Sequence, residues 1–153
     1  MKLAEALINR ADAEKRIAQL QQRLMRSGKV QEGDEPPENP QALLNETTNL
    51  ISELQSLIQN INRTNAATAF DGNRTLTDAL AERDMLMKER TILASVIDMA
   101  AVTQPRYGGS EIKFVSTVDI ASLQTRVDDL SRRYRETDSA IQQLNWSIDL
   151  MES

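Results

Sequence analysis

From Ile120 to Met151 the chain places Ile120, Leu123, Val127, Leu130, Tyr134, Thr137, Ile141, Leu144, Ile148 and Met151 in unbroken alternating steps of three and four. A strand repeats every two residues and cannot gather such a series on one face, so the stretch reads as a long helix with one apolar seam. A seam of this kind is covered by lying against another helix. Asp119 stands directly before it as a suitable N-cap. Nothing else in the chain is as regular, and this segment sets the fold class.

Three further segments follow the same period. Leu3, Leu7, Ile17, Leu20 and Leu24 share a face between Lys2 and about Ser27, where Gly28 stops the helix. Residues 28–39 hold Gly33, Pro36, Pro37 and several acids, which predicts a flexible acidic loop. Asn39 then caps and Pro40 opens a second helix seamed by Leu43, Thr47, Leu50, Leu54, Leu57 and Ile61. Leu44, Ile51 and Ile58 widen that stripe. Thr75 with Asp78 makes a capping box for a third helix reaching about Ala101. Its main stripe is Leu76, Ala79, Leu80, Leu86, Met87, Leu93, Ile97 and Ala100, and a second stripe, Met85, Ile92, Val96 and Met99, lies on another side. A helix apolar on two sides needs neighbours on both.

The expected fold is therefore all-α: an antiparallel up-down-up-down bundle of about four long helices in one domain spanning 1–153. By helical rise the first three helices are roughly 35 to 40 Å long and the last about 50 Å. An overhanging last helix and a two-sided third suit packing against another subunit, so a homo-oligomer is expected.

Two polar insertions, 62–75 and 102–118, interrupt this plan. In the second, Gly108-Gly109 is a turn dipeptide, and Ile112, Phe114, Ser116 and Val118 alternate with Lys113, Val115 and Thr117. That pattern predicts a short strand or hairpin before the last helix, with Pro105 confining the opposing strand to an edge. A two-stranded ribbon alone is marginal in water, so the strand's natural partner is another chain. Ile112, Lys113, Phe114 and Val115, together with Trp146 in the last helix, are the expected oligomer interface. The plainer alternative is an extended connector packed on the bundle end by Ile112 and Phe114.

The first insertion contains Asn-Arg-Thr twice, eleven residues apart, around Asp71-Gly72, itself a hairpin signal. Asn62, Arg63, Thr64 and Asn65 with Arg74 and Thr75 form a hypothetical site for a small anion, because arginines beside a helix start can hold phosphate or carboxylate. The same residue types also end, cap and turn helices. Arg83 and Arg90 fall one heptad apart inside the third helix's main stripe. Buried arginine demands a partner, so they form a polar layer fixing helix register or line an internal anion or catalytic site.

Composition narrows the chemistry. The 153 residues contain no cysteine and no histidine, which removes disulfides, thiolate and imidazole metal sites, and Ser-His or Cys-His nucleophiles. No metal and no cofactor is expected. A formal charge of −5 opposes general nucleic-acid binding. The longest nearly apolar run, from Ile92 to Val102, is broken by Ser95 and Asp98, so no transmembrane segment is expected. The N-terminal stretch places Glu5, Arg10 and Asp12 where a signal peptide would be apolar, and a cytoplasmic protein is the expectation.

The stretches MKLAEALINRADAEKRI, KVQEGDEP, INRTNAAT with LTDALAERD, SEIKFVSTVD and LNWSIDL resemble a bacterial family of small uncharacterised helical proteins, some members of which carry the name septicolysin. The resemblance covers nearly the whole chain and implies a bacterial cytoplasmic origin without a defined activity. The name would imply membrane lysis, which the absence of a spanning segment disfavours. The expected function is an oligomeric helical scaffold or interaction protein, rather than an enzyme, with no catalytic residue assigned and an unidentified protein as a further partner. The alternative is a helical-bundle enzyme or binding protein for a small phosphate- or carboxylate-bearing ligand.

Overall fold

A computed structural model of the chain describes residues 1–101 and 112–153. Four helices follow in order, α1 (Leu3–Ser27), α2 (Pro40–Ala67), α3 (Leu76–Ala100) and α4 (Ile120–Ser147), and the described residues contain no strand. The protein is all-α, as the apolar periodicity predicts.

Each helix starts where a side chain answers the orphan amides of the first turn. The Glu5 carboxylate accepts from the Lys2 amide at 2.7 Å at the start of α1. Asn39 Oδ1 accepts from the amides of Gln41 and Ala42 at 3.0 and 3.2 Å, with Pro40 leading α2. Thr75 and Asp78 cap α3 reciprocally: Thr75 N–H donates to Asp78 at 2.8 Å and Asp78 N–H to Thr75 Oγ1 at 3.3 Å. Asp119 Oδ1 accepts from the Ser122 amide at 3.1 Å at the head of α4. In the loop after α1, Gly33 takes φ +93°, a left-handed conformation that a side chain would strain.

The chain forms two compact units, one of residues 1–69 with 143–153 and one of residues 70–142. In the first, α1 and α2 run antiparallel, tied by Arg16 to Glu46 at 3.0 Å, while Arg23 reaches Glu38 in the loop before α2 at 2.9 Å. Leu3, Leu20, Leu43 and Ile61 are buried there on the predicted faces, together with Ala6. Leu44 and Ile51, which widen the α2 stripe, stay about half exposed.

The same unit corrects the length expected for the last helix. The seam continues in sequence to Met151, but α4 ends at Ser147 and has 28 residues, the same as α2. The chain leaves the helix because its backbone finds another partner: Lys2 and Asp149 form an antiparallel bridge. Leu3 N–H donates to Ile148 O and Leu150 N–H to Met1 O, both at 2.9 Å. Met151 N–H donates to Oγ1 of the fully buried Thr64 at 2.9 Å, and Leu150 is buried as well. The residues counted as overhang seal their own unit.

In the second unit α3 runs antiparallel to α4, joined by Arg83 to Asp138 and Arg126 to Glu89, each at 3.0 Å, and by Arg90 Nε to Ser131 Oγ at 2.6 Å. Leu76, Ala79 and Leu86 of α3 are buried, as are Val127, Leu130 and Ile141 of α4. On the outer face of α4, Arg132 reaches Asp129 at 2.6 Å and Glu136 at 3.2 Å.

The predicted hairpin before α4 is also corrected over its described part. Residues 112–118 are irregular and form no ladder; their described local bonds are Ser116 Oγ to Val118 O at 3.0 Å and Val118 N–H back to Ser116 Oγ at 3.4 Å. Alternation alone does not make a strand, because a ladder also needs a paired backbone, which side-chain periodicity does not report. The plainer connector reading is corrected in one respect, since Ile112 and Phe114 are about four-fifths exposed rather than packed away. The Gly108-Gly109 turn and Pro105 lie outside the described residues.

Candidate functional site

The polar stretch resolves into pieces with visible structural partners. Asn62, Arg63, Thr64 and Asn65 lie in the last turns of α2, in the first unit. Arg63 donates to Asn60 Oδ1 at 2.8 Å, and Thr64 Oγ1 donates to Asn60 O at 2.8 Å while accepting from Met151. Arg74 and Thr75 lie in the second unit. Asp71 there accepts from the amides of Asn73 and Arg74, both at 2.9 Å, and Phe70 N–H donates to Arg74 O at 2.8 Å, so Asp71-Gly72 closes a tight backbone-paired turn, as its hairpin signal predicts, without extending into strands. The Arg74 guanidinium contacts the carboxylates of Asp71, at 2.7 Å, and of Glu82, and it stacks 5.0 Å from the Phe70 ring centroid. Its donors are thus engaged by the chain's own anions. Thr75 is occupied as the N-cap of α3.

Several carboxylates in such contacts are held below their ordinary range. The Arg74 guanidinium lowers Asp71, the Thr75 amide lowers Asp78, the Arg23 guanidinium lowers Glu38, and the Lys2 ammonium lowers Asp149. A carboxylate whose folded pKa is depressed contributes stability above its unfolded pKa and loses it as pH falls through the folded value. With no histidine in the chain, no side chain of ordinary pKa titrates between about pH 5 and 8. Thermal melting temperature is accordingly expected to be flat over that interval and to fall progressively below about pH 4. A mid-range inflection in a melting series would contradict this.

Arg83 and Arg90, the charged interruptions of the α3 stripe, turn toward α4. Arg83 is only 22% exposed and pairs with Asp138, and Arg90 finds the Ser131 hydroxyl. They form a polar layer between α3 and α4, one of the two arrangements that the spacing allows.

The second α3 stripe remains uncovered. Ile92, Val96 and Met99, with Thr91, Ser95 and Ala100, form one side of an open groove of about 770 Å³, and residues 114–118 form the other. Met99 is 86% exposed, Phe114 81% and Val115 77%. Met85 and Ile92 are about half exposed. The sequence showed the stripe and the segment separately. It did not show that they make two walls of one groove, because residues 102–111 separate them in the chain; Val118, the last apolar residue before the Asp119 cap, was the available clue. Of the expected interface residues, Ile112, Lys113, Phe114 and Val115 are exposed beside this groove in the second unit, whereas Trp146, 56% exposed, belongs to the first. Among the described residues no cluster of acids suits a metal ion, and no helix is long and apolar enough to cross a membrane.

Comparison with known proteins agrees with the helical reading. A crystal structure of a functionally unknown conserved protein from Corynebacterium diphtheriae superposes with a TM-score of 0.93 at 43% identity, covering 99% of each chain. No curated protein matches the sequence. The septicolysin name finds no support in these comparisons. Residues 10–150 match the sequence pattern of a family described only as being of unknown function, DUF6847. The chain therefore belongs to that family.

Proposed function

We propose that the protein is a helical interaction module that self-associates through the second unit, using the outer face of α3 and residues 112–118. One observation carries this reading: the apolar groove between Ile92, Val96 and Met99 on one side and Phe114, Val115 and Val118 on the other. Monomers rarely leave contiguous apolar patches beyond roughly 300 to 600 Å² exposed. The exposed parts of these side chains with Met85 and Ile112 amount to on the order of 800 Å², about what one partner of a standard interface buries. The surroundings support adhesion better than catalysis: the cations of the polar stretch face the chain's own groups, and among the described residues the groove walls offer hydroxyls and apolar side chains.

Light scattering over a concentration series tests the reading. The wild-type chain is expected to approach twice its 17.2 kDa mass, and Phe114→Asp to remain a monomer at the same concentrations. Phe114 is largely exposed, so circular dichroism of the variant should be unchanged. A wild-type protein that stays monomeric, or a dimer indifferent to Phe114→Asp, overturns the assignment of this surface.

A further inference from the structure

We infer that the outer face of α3 is a two-fold interface in which a second copy of α3 lies antiparallel, with Ile92 on the axis. The inference rests on the self-association proposed above and adds its geometry. A two-fold contact requires one patch to complement itself. Met85 and Met99 stand seven residues on either side of Ile92, about 10 Å away along the helix in each direction. Antiparallel pairing about Ile92 therefore sets Met85 of one copy against the partner subunit's Met99, and both isoleucines against each other. Lys88 and Val96 are related by the same axis, four residues to either side. The lysine stem then covers the partner subunit's Val96 and joins Met85 in the groove walled by Phe114 and Val118.

Charge agrees with this register. Lys88 and Asp98 are exposed, and among the described residues neither takes part in an ion pair. With Ile92 on the axis, Lys88 and the partner subunit's Asp98 fall on the same flank and differ by only about 3 Å in height along the helices. The ammonium leaves the apolar seam toward that carboxylate, as a long lysine stem permits. Because a two-fold repeats every contact, one register supplies two such pairs.

The chain contains no cysteine, so single introduced cysteines report the register without background. Ile92→Cys under mild oxidation is expected to become mostly disulfide-linked dimer, since residues on the axis face each other across closely packed helices. Met85→Cys and Met99→Cys alone should stay unlinked, their two copies being about 21 Å apart, while an equal mixture of the two should cross-link. Lys88→Asp is expected to weaken the dimer about tenfold, and adding Asp98→Lys to restore it. Scattering before oxidation separates the two levels of the argument. Monomers at every concentration overturn self-association itself. Dimers that fail to link at residue 92, or a charge reversal that restores nothing, overturn the register and leave self-association standing.

Discussion

Truncating Ile61 to alanine is expected to lower the unfolding free energy by about 2–5 kcal/mol, the range for buried aliphatic residues that leave a void. Ile61 is 1% exposed and lies one turn before Thr64 on the same face of α2. Thr64 in turn holds Met151 through its hydroxyl, and the bridged ends at Lys2 and Asp149 complete that corner. A void under Thr64 thus removes apolar contacts and loosens the clamp on the final residues together. Since a domain of this size is typically stable by only about 5–15 kcal/mol, the loss is a large share of the total. Ile51→Ala is the control: on the same helix but 49% exposed, it is expected to change stability by well under half as much. Urea denaturation measures both, and the midpoint should move while the slope stays constant. Equal losses at the two positions would mean that the corner around Ile61 is no better packed than the surface.

How much of this was legible in the sequence depends on how local each cause is. Asn39, Thr75 and Asp119 cap helices through bonds spanning two or three residues, and all three starts were readable. The end of α4 was not. Its apolar spacing runs on through Ile148 and Met151, and the event that terminates it is a backbone bond to Leu3, almost the whole chain away. Alternation at Ile112 to Val118 suggested a strand for the converse reason: it reports which side chains share a face, not whether a second backbone is present to pair with. The exposed stripe on α3 was readable as a second apolar face, while its opposing wall at residues 114–118 was not. The polar stretch illustrates ambiguity of another kind. Arginine, asparagine and threonine suit anion binding and helix termination alike, and only geometry reveals that Arg74 faces Asp71 and Glu82.

The pairing of Arg83 with Asp138 is the second substitution site of large expected effect. Asp138→Leu leaves Arg83, 22% exposed, with only Asp84 nearby at 3.3 Å, and is expected to cost about 1–3 kcal/mol, as when a charged hydrogen-bonding group loses its partner. Combining it with Arg83→Met should recover much of that loss, since a matched apolar pair carries no unanswered charge. The double-mutant cycle is expected to give a coupling of about 1–2 kcal/mol. Arg126 and Glu89 join the same two helices but are each about half exposed, so their coupling should stay below about 1 kcal/mol and fade in high salt. Equal couplings for the two pairs would deny Arg83 any special role. The value of an ionic rung in an apolar seam lies in register. Arg83 with Asp138 and Arg90 with Ser131 are two rungs one heptad apart in the same alignment of α3 against α4. Leucine-like contacts tolerate a slip of seven residues, because another apolar residue takes the vacated place; this slip would draw at least one arginine away from its oxygen and leave it sheltered and unanswered. The polar layer therefore discriminates among alignments that the apolar seam alone leaves close in energy.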